Sequence, residues 1–321
     1  MALRESVARA DPRPPATRTG GRRPARLWKL RRVWYAYLFI SPFFILFAIF
    51  GLYPYVDAFV LSFHEWDGIG EKSWVGLENY RDLLGDDVWW KSLYNSFWLL
   101  VVTTLNLPLA MLLAFFLNSR LVRLRAFFRV AYFMPVVASS VAVSIVFVTI
   151  FGERYGLANY LLSLLGQEGV AWLDDASWIK PAIALVVIWR WFGWNVIIYL
   201  AGLQSIPEEL YEAARLDGAS TWQLFRYVTI PLMKPVITFT IVLSIIGGLQ
   251  LFDEPLLLAG GTGTTSPGGT DRAGLTVLVY LYSSGFHYLK FGYAAALSVA
   301  LFAVIAVFSF LYYRLVGSRE N

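Results

Sequence analysis

The sequence predicts an all-α membrane protein whose chain crosses the bilayer six times. Of its 321 residues, 58% are hydrophobic and 15% are charged, whereas soluble domains carry about 25% charged residues. Six apolar runs, each close to the ~20 residues that a helix needs to span a bilayer, alternate with polar loops. Arg and Lys are also concentrated in alternate loops. These three observations favour a single bundle of membrane helices over several soluble domains.

Residues 1–33 form a basic segment that precedes the first apolar run. It holds ten Arg and Lys against two acidic residues, is rich in proline and lacks an apolar period. We therefore expect a disordered cytoplasmic tail that acts as a topology signal, with a lipid-binding or nucleic-acid-binding arm as the alternative. The following apolar run is too long for a cleaved signal peptide.

The six spans belong to one predicted domain, residues 34–316, which a short cytoplasmic tail, 317–321, follows. Their predicted bounds are 34–56 (continuing as an apolar helix towards Phe63), 93–117, 130–151, 181–203, 235–252 and 291–313. Proline should kink the first span, which a bundle tolerates where neighbours satisfy the freed carbonyls. A short helix over 157–165 is expected in the loop before the fourth span.

The loop charges predict the orientation of the bundle. With the first tail in the cytoplasm, cytoplasmic segments carry 19 Arg and Lys, and the opposite loops carry 7. The 118–129 loop alone has four arginines and no acid. Under the positive-inside rule both termini and the loop after the fourth span are cytoplasmic, in a multi-pass protein of the inner cell membrane.

The loop after the fourth span, residues 205–231, is a polar island that we call the bracket. Ser205 and Glu208 have the spacing of a capping box, which predicts a helix over 206–217 that Gly218 ends in a left-handed conformation. Ser220 and Gln223 repeat this spacing, so a second short helix should run towards Pro231. Composition alone also allows an interfacial loop without a partner.

The bracket resembles the EAA loop of permease subunits of ABC importers. The matching residues are Glu212, Ala213, Ala214, Asp217, Gly218, Ala219, Phe225, Ile230, Pro231 and Pro235. Segments from 34 to 316, such as WRWFGWNVIIYLAGLQSIP, are similar to the carbohydrate branch of that family, which implies a type I importer-like fold with cytoplasmic coupling helices. That branch usually has Gly-Gly-Pro after the fifth span, whereas Thr262 follows Gly260 and Gly261 here.

The resemblance implies partners and roles. In the family the loop docks into a cleft of a separate ATPase, so it implies an ATPase-coupling role for Glu212, Ala213, Ala214, Asp217, Gly218 and Ala219. It further implies two ATP-binding subunits, a second and related permease chain, and an extracytoplasmic solute-binding protein that delivers a sugar. Trp222 and Phe225, at i and i+3, are expected to pack the bracket onto the membrane helices.

Three polar or aromatic residues on the fourth span are candidates for the substrate pathway. Trp191, Asn195 and Tyr199 recur at i, i+4 and i+8 and so share one helix face. An amide between aromatic rings suits the hydroxyls and C–H faces of a sugar, although an aromatic belt with an interhelical amide fits equally. Gln250 and Asp253, near the end of the fifth span, are further candidates.

Arg190 is a charged residue within the fourth span. A charge at that depth calls for a partner, and Asp57, Asp253 or Glu254 could supply it. We expect a buried ion pair. Direct contact with an anionic sugar or a polyol phosphate is the alternative.

The sequence lacks the motifs of a catalytic chain. It has no Gly-Lys dipeptide and hence no P-loop, no cysteine, and two histidines far apart. We therefore predict no cofactor and no enzyme activity. The resemblance to importer permeases implies that a separate chain hydrolyses ATP and so drives the import of a sugar or oligosaccharide. The alternatives are a permease for another polar solute, an ion-coupled secondary transporter or a membrane-bound enzyme.

Overall fold

The structure, a computed structural model, describes residues 25–118, 125–260 and 267–316. Four segments of the sequence analysis lie outside these residues: 1–24 of the basic tail, 119–124 of the arginine loop, 261–266 of the Gly/Thr loop, and the C-terminal tail 317–321. The predictions for residues 1–24 and for the C-terminal tail therefore remain predictions.

The described residues are mostly helical. The α-helices are α1 Ala25–Phe47, α2 Tyr53–Leu61, α3 Glu78–Gly85, α4 Asp87–Thr104, α5 Asn106–Asn118, α6 Arg125–Val137, α7 Ser140–Ile150, α8 Leu157–Leu164, α9 Ile179–Gln204, α10 Glu208–Leu216, α11 Thr221–Gln223, α12 Ile230–Leu249, α13 Asp253–Gly260, α14 Val277–Tyr282 and α15 Phe291–Val316. Three π-helical segments, Ala48–Leu52, Leu224–Thr229 and Ser283–His287, and one 3-10 turn, Thr270–Arg272, lie between them. Strands β1 (His64–Glu65) and β2 (Ser73–Trp74) form an antiparallel pair, with His64 opposite Trp74.

Two compact units divide the chain, residues 1–55 and 56–321. The first contains α1, the π-helical segment Ala48–Leu52 and the beginning of α2. Because α1 begins at Ala25, the prediction of a disordered tail up to residue 33 is wrong for residues 25–33. No proline lies between Pro24 and Pro42, and the residues after Pro24 are mostly good helix formers.

Five helical stretches are long and apolar enough to cross a membrane: Tyr37–Leu61, Asp87–Asn118, Ile179–Gln204, Thr221–Gly260 and Phe291–Leu315. The third predicted span differs, because Val130–Val137 and Ser140–Ile150 meet at a bend of 102°. The described chain has six spans if this bent pair counts as one. The predicted third span, 130–151, thus consists of two helices that meet at a bend, and the predicted short helix over 157–165 is confirmed as α8.

Local residues explain the bend. Pro135 lies inside α6, and Ser139 is extended, with φ −57° and ψ 133°, so the α-helical ladder stops between α6 and α7. Helix α6 also approaches α9 closely. A Cβ added to Gly193 on α9 would lie only 1.8 Å from the carbonyl oxygen of Tyr132 on α6. Glycine on α9 thus permits a backbone contact with the broken span.

The core of the second unit consists of three apolar clusters. One packs α7 and α13 around the first half of α9, with Ile183 and Leu258 fully buried. A second joins the rest of α9 to α5 and α12 through Tyr199 and Met233. The third joins α4, α12, α14 and α15. Helix α9 belongs to two of these clusters and is therefore the central element of this unit.

The second bracket helix continues into the fifth span, contrary to prediction. Helix α11, the π-helical segment Leu224–Thr229 and α12 follow one another without a break, so neither Pro231 nor Pro235 separates them. The N–H of Ile230 donates to the carbonyl of Phe225, five residues back, which shifts the register of the ladder. Pro231 consequently falls in the first turn of α12, where a missing N–H costs little.

Candidate functional site

The two helices of the bracket are joined by a tight turn at Gly218. This glycine has φ +84°, as predicted. Its N–H donates to the carbonyl of Arg215 at 3.0 Å, and the N–H of Ala219 donates to Ala214 at 2.9 Å. This pair of bonds is a Schellman motif, which ends α10 and reverses the chain towards α11.

The capping residues of the bracket were predicted with mixed success. Ser220 and Gln223 form the predicted capping box, with bonds of 2.7 and 3.3 Å. The capping box at Ser205 and Glu208 is wrong, because Ser205 is helical and ends α9. Its hydroxyl donates to the carbonyl of Gly202 at 2.7 Å, and Pro207 takes the N-cap position of α10.

The predicted coupling residues lie together on the surface of the bracket. Glu212, Ala213, Asp217 and Gly218 are exposed, and Ala214 and Ala219 are half-buried. Leu216, the last residue of α10, is 90% exposed. Residues 212–219 therefore present two carboxylates beside an apolar side chain.

Trp222 and Phe225 do not share the predicted role. Phe225 is buried and its ring lies 5.0 Å from that of Phe115 on α5, so it does pack onto a membrane helix. Trp222 contacts the ring of Phe225 at 5.5 Å but is 64% exposed. The prediction therefore holds for Phe225 and is wrong for Trp222, whose ring is mostly exposed.

A buried ion pair is the main polar feature among the membrane helices. Arg190 on α9 donates from Nη1 to Oε1 of Glu254 at 2.8 Å, and both side chains are almost fully buried. Its Nη2 donates to the carbonyl of Ala138 at 3.4 Å, and its guanidinium lies 5.7 Å from the ring of Trp191. The predicted pair is confirmed with Glu254, whereas Asp57 lies 3.7 Å from Lys72.

Arg190 thus joins two helix ends. Ala138 follows α6 directly, so its carbonyl lies at the negative end of that helix, and Glu254 lies in the first turn of α13. A cation at a helix C-terminus and an acid at a helix N-terminus both complement the helix dipoles. Discontinuous helices that meet at buried polar groups are typical of transporter binding sites.

The candidate pathway residues on α9 occupy different surroundings. Asn195 is buried and donates to Oδ1 of Asn106 at 3.1 Å. Tyr199 is 1% exposed and bonds to Thr240 at 2.8 Å, while Trp191 is 40% exposed. Asn195 and Tyr199 therefore hold α9 against α5 and α12, as in the alternative interpretation, and only Trp191 is open to a solute.

The other two candidates lie near the ion pair in sequence. Gln250 is exposed in the break between α12 and α13, and Asp253 is half-buried beside Glu254. The structure thus places Asp253 next to the ion pair and Gln250 at a nearby helix end. It does not bring them into one site with Asn195 and Tyr199.

A third polar cluster escaped the sequence analysis. Asp86, the N-cap of α4, accepts hydrogen bonds from Tyr280 and, at 2.6 Å, from Tyr293. Burial alone would raise the pKa of Asp86, but the hydrogen bonds that it accepts bring its pKa below the usual value. Burial and the bond to Asp86 raise the pKa of Tyr280 to about 12. Tyr280 and Tyr293 lie 194 and 207 residues after Asp86, and no local motif marks them.

Known proteins with similar sequence cover nearly all of the chain. The arabinooligosaccharides transport system permease protein AraP of Bacillus subtilis (strain 168) is 41% identical over 289 residues, 89% of each chain. The lactose transport system permease protein LacF of Rhizobium radiobacter is 38% identical over 288 residues, 88% of this chain and 94% of that protein.

A solved structure shares the fold. It is a bacterial alginate ABC transporter in complex with an alginate pentasaccharide-bound periplasmic protein. One of its chains superimposes with a TM-score of 0.79 at 26% identity, over 90% of this chain and 96% of that chain. Residues 106–320, about two thirds of the sequence, match a family of membrane transport components. The chain therefore belongs to the family of inner membrane components of binding-protein-dependent transport systems.

Proposed function

We propose that this chain forms one half of the translocation pathway of an ATP-driven importer for an oligosaccharide. The single observation that carries the proposal is the exposed bracket, which ends a membrane helix and begins the next one. Because the bracket is continuous with α9 and α12, its movement would be passed to these two membrane helices. The chain is a multi-pass membrane permease and not an enzyme, in agreement with its family.

The proposed partner of the bracket is a separate ATPase subunit. Trp222 is an exposed aromatic side chain of a type that commonly anchors protein interfaces, and Leu216 adds exposed apolar surface. Glu212 and Asp217 add exposed carboxylates that basic residues of the ATPase would meet. In this proposal the small side chains of Ala213, Ala214 and Ala219 allow the bracket to lie close to the ATPase surface, and Gly218 forms the turn between its two helices. Both termini and the bracket then face the cytoplasm.

The proposed assembly has a second permease chain, related to this one, a pair of ATPase subunits and an extracytoplasmic solute-binding protein. The last of these is supported by the similar alginate transporter, whose structure includes a periplasmic protein. Trp191 is exposed within a membrane helix, and an apolar ring at that depth would line the boundary with the second permease. No role is proposed for a nucleic acid.

The proposed substrate is a neutral oligosaccharide. Glu254 neutralises Arg190, so the pair offers no net positive charge to an anionic solute. The two relatives above are named for transport of arabinooligosaccharides and lactose. We propose that Trp191, Gln250 and Asp253 contact the sugar, while Asn195 and Tyr199 set the position of α9. An anionic substrate would have to displace Glu254 from Arg190.

Reconstitution tests the proposed function. The chain is purified with a related permease chain and an ATPase subunit from the same organism, placed in proteoliposomes with the binding protein, and assayed with radiolabelled arabinotriose and lactose. Uptake that requires ATP and the binding protein is the expected result. Uptake by this chain alone, driven by an ion gradient, would show a secondary transporter instead.

Trp222→Ala provides a sharper test of the bracket. An anchoring aromatic residue at an interface typically contributes 2 kcal/mol or more, which corresponds to roughly a thirtyfold loss of affinity for the ATPase. Trp222 is exposed, so the melting temperature of the free permease should not change. Phe225→Ala is the matched control, because it removes a buried ring and should lower the melting temperature.

A further inference from the structure

Helix α10 has one buried side chain, that of Tyr211, which packs against the second unit. Tyr211 is the only residue of α10 that is buried, and the rest of this nine-residue helix is exposed or half-buried. Its chain connections are the turn at Gly218 and the segment around Pro207, both exposed. The contact that Tyr211 makes is therefore a buried attachment of α10 to the rest of the unit.

Tyr211 contacts Thr229, which lies at the end of the π-helical segment before α12. The two hydroxyl oxygens are 3.1 Å apart, and Thr229 is fully buried. Thr229 uses its own proton to donate to the carbonyl of Leu224 at 3.2 Å. Tyr211 must consequently be the donor in the first bond, since a threonine hydroxyl has a single proton.

The two bonds form a chain from α10 to the beginning of the fifth span. Tyr211 donates to Thr229, and Thr229 donates to Leu224, within a π-helical segment that runs directly into α12. Phe225, next to Leu224, packs against Phe115 of α5. A π-helical turn inside a membrane helix is often a functional site, because its hydrogen bonds have an alternative register.

We propose that Tyr211 and Thr229 form a strut, a pair of positioning residues that transmits movement of α10 to α12 and α5. The transmitting role rests on the proposed function, whereas the attachment of α10 by the strut does not. When the ATPase moves α10, the Tyr211–Thr229 hydrogen bond displaces the π-helical segment, and α12 moves together with that segment. Without the strut, α10 moves about the Gly218 turn while α12 stays behind.

The attachment can be measured on the chain alone. The sequence has no cysteine, so spin labels at Glu209→Cys on α10 and Leu243→Cys on α12, both exposed, report one distance. In lipid nanodiscs we expect a narrow distance distribution for the otherwise unchanged protein. Tyr211→Phe keeps the ring and removes the donor, which should raise the population at longer distances about fivefold, the effect of one lost hydrogen bond.

Matched variants separate the bond from general damage. Thr229→Val should behave like Tyr211→Phe, and the double variant should be no worse than either. Thr229→Ser keeps a hydroxyl and should retain the narrow distribution. Tyr227→Phe removes the hydroxyl of a tyrosine that is 72% exposed, two residues before Thr229, and should change nothing. An unchanged distribution in Tyr211→Phe would overturn the strut.

The transmitting role is then tested in the complex with the ATPase and the second permease. Tyr211→Phe should still recruit the ATPase, but trapping with ATP and vanadate should shift the α10 label without moving α12. If α12 moves as it does without the substitution, transmission through the strut is refuted. If the unchanged chain recruits no ATPase at all, the proposed function fails, and the nanodisc result on attachment still stands.

Discussion

Arg190 illustrates how one charged side chain organises a membrane bundle. Its guanidinium binds Glu254 at the beginning of α13 and the carbonyl of Ala138 after α6. A single residue thus links α9 to α13 and to the break between α6 and α7. Removal of either partner would leave a buried charge, which costs far more than loss of an exposed pair.

We predict that Arg190→Gln lowers the free energy of unfolding by about 3–5 kcal/mol, because Glu254 then remains buried and unpaired. Arg190→Gln combined with Glu254→Gln should be milder than the single change. Thermal unfolding in detergent, followed by tryptophan fluorescence, measures both. Asp57→Asn is the control, since Asp57 and Lys72 are each about 40% exposed and such pairs contribute roughly 0–1 kcal/mol.

The Asp86 cluster gives a pH-dependent prediction. Because the folded state depresses the pKa of Asp86, its contribution to stability is present above the ordinary pKa of 3.8 and is lost as the pH falls below it. Asp86→Asn should cost about 1–3 kcal/mol at pH 7, the effect of hydrogen bonds to a charged group.

The difference between the unchanged protein and Asp86→Asn should shrink in acid, as melting temperatures between pH 3 and pH 8 would show. Asp87→Asn is the control, since Asp87 is exposed in the first turn of α4 and contributes through the helix dipole alone, less than about 1 kcal/mol. An Asp86 effect that is constant over this range would argue against a charged acceptor.

At the scale of elements, the bracket depends on the backbone conformation of Gly218. Its φ of +84° is easily reached by glycine, costly for alanine and impossible for proline. We predict that Gly218→Ala weakens ATPase recruitment severalfold and that Gly218→Pro abolishes it, with membrane insertion intact in both. Affinity purification of the complex measures recruitment.

Gly247→Ala is the matched control for the turn. Gly247 lies in α12, has no atom within 4 Å of a Cβ position and has no positive φ. Alanine there should leave recruitment unchanged and favour the helix slightly. Normal recruitment by Gly218→Pro would show that the turn does not shape the docking surface.

Elements whose signals are local could be predicted from the sequence. Helices α9 and α15 follow from apolar length, and the turn at Gly218 and the cap at Ser220 follow from residue type. Pro135 and Ser139 mark the break between α6 and α7, but the size of the bend could not be predicted, because it also depends on tertiary contacts such as the bond between Arg190 and Ala138. Apolar length alone does not distinguish a straight span from a bent one.

Some residues of the candidate site could be identified from the sequence, and others could not. Arg190 was recognised because a charge in an apolar run is conspicuous, and its partner was among three possible acids. The Tyr211–Thr229 and Asp86–Tyr280 bonds had no signal in the sequence, since aromatic hydroxyls are common and their partners depend on the packing of helices. Trp222 was misassigned because spacing identifies a face but not what covers it.

At the scale of the whole molecule, the function requires a fixed orientation in the membrane. An ATPase can reach the bracket only if residues 205–231 face the cytoplasm, and the excess of Arg and Lys on that side favours this orientation. The described loops offer exposed positions on both sides of the predicted bundle. The absence of cysteine makes single-cysteine labelling unambiguous.

We predict that Leu216→Cys, in the bracket, reacts with a membrane-impermeant maleimide only after the cells are lysed. Glu168→Cys, in the exposed loop after α8, should react in intact spheroplasts. The unchanged chain, which has no thiol, is the background control. If Leu216→Cys were labelled from outside, the bracket could not meet an ATPase, and the coupling role of Glu212, Asp217 and Gly218 would be excluded together with the proposed mechanism.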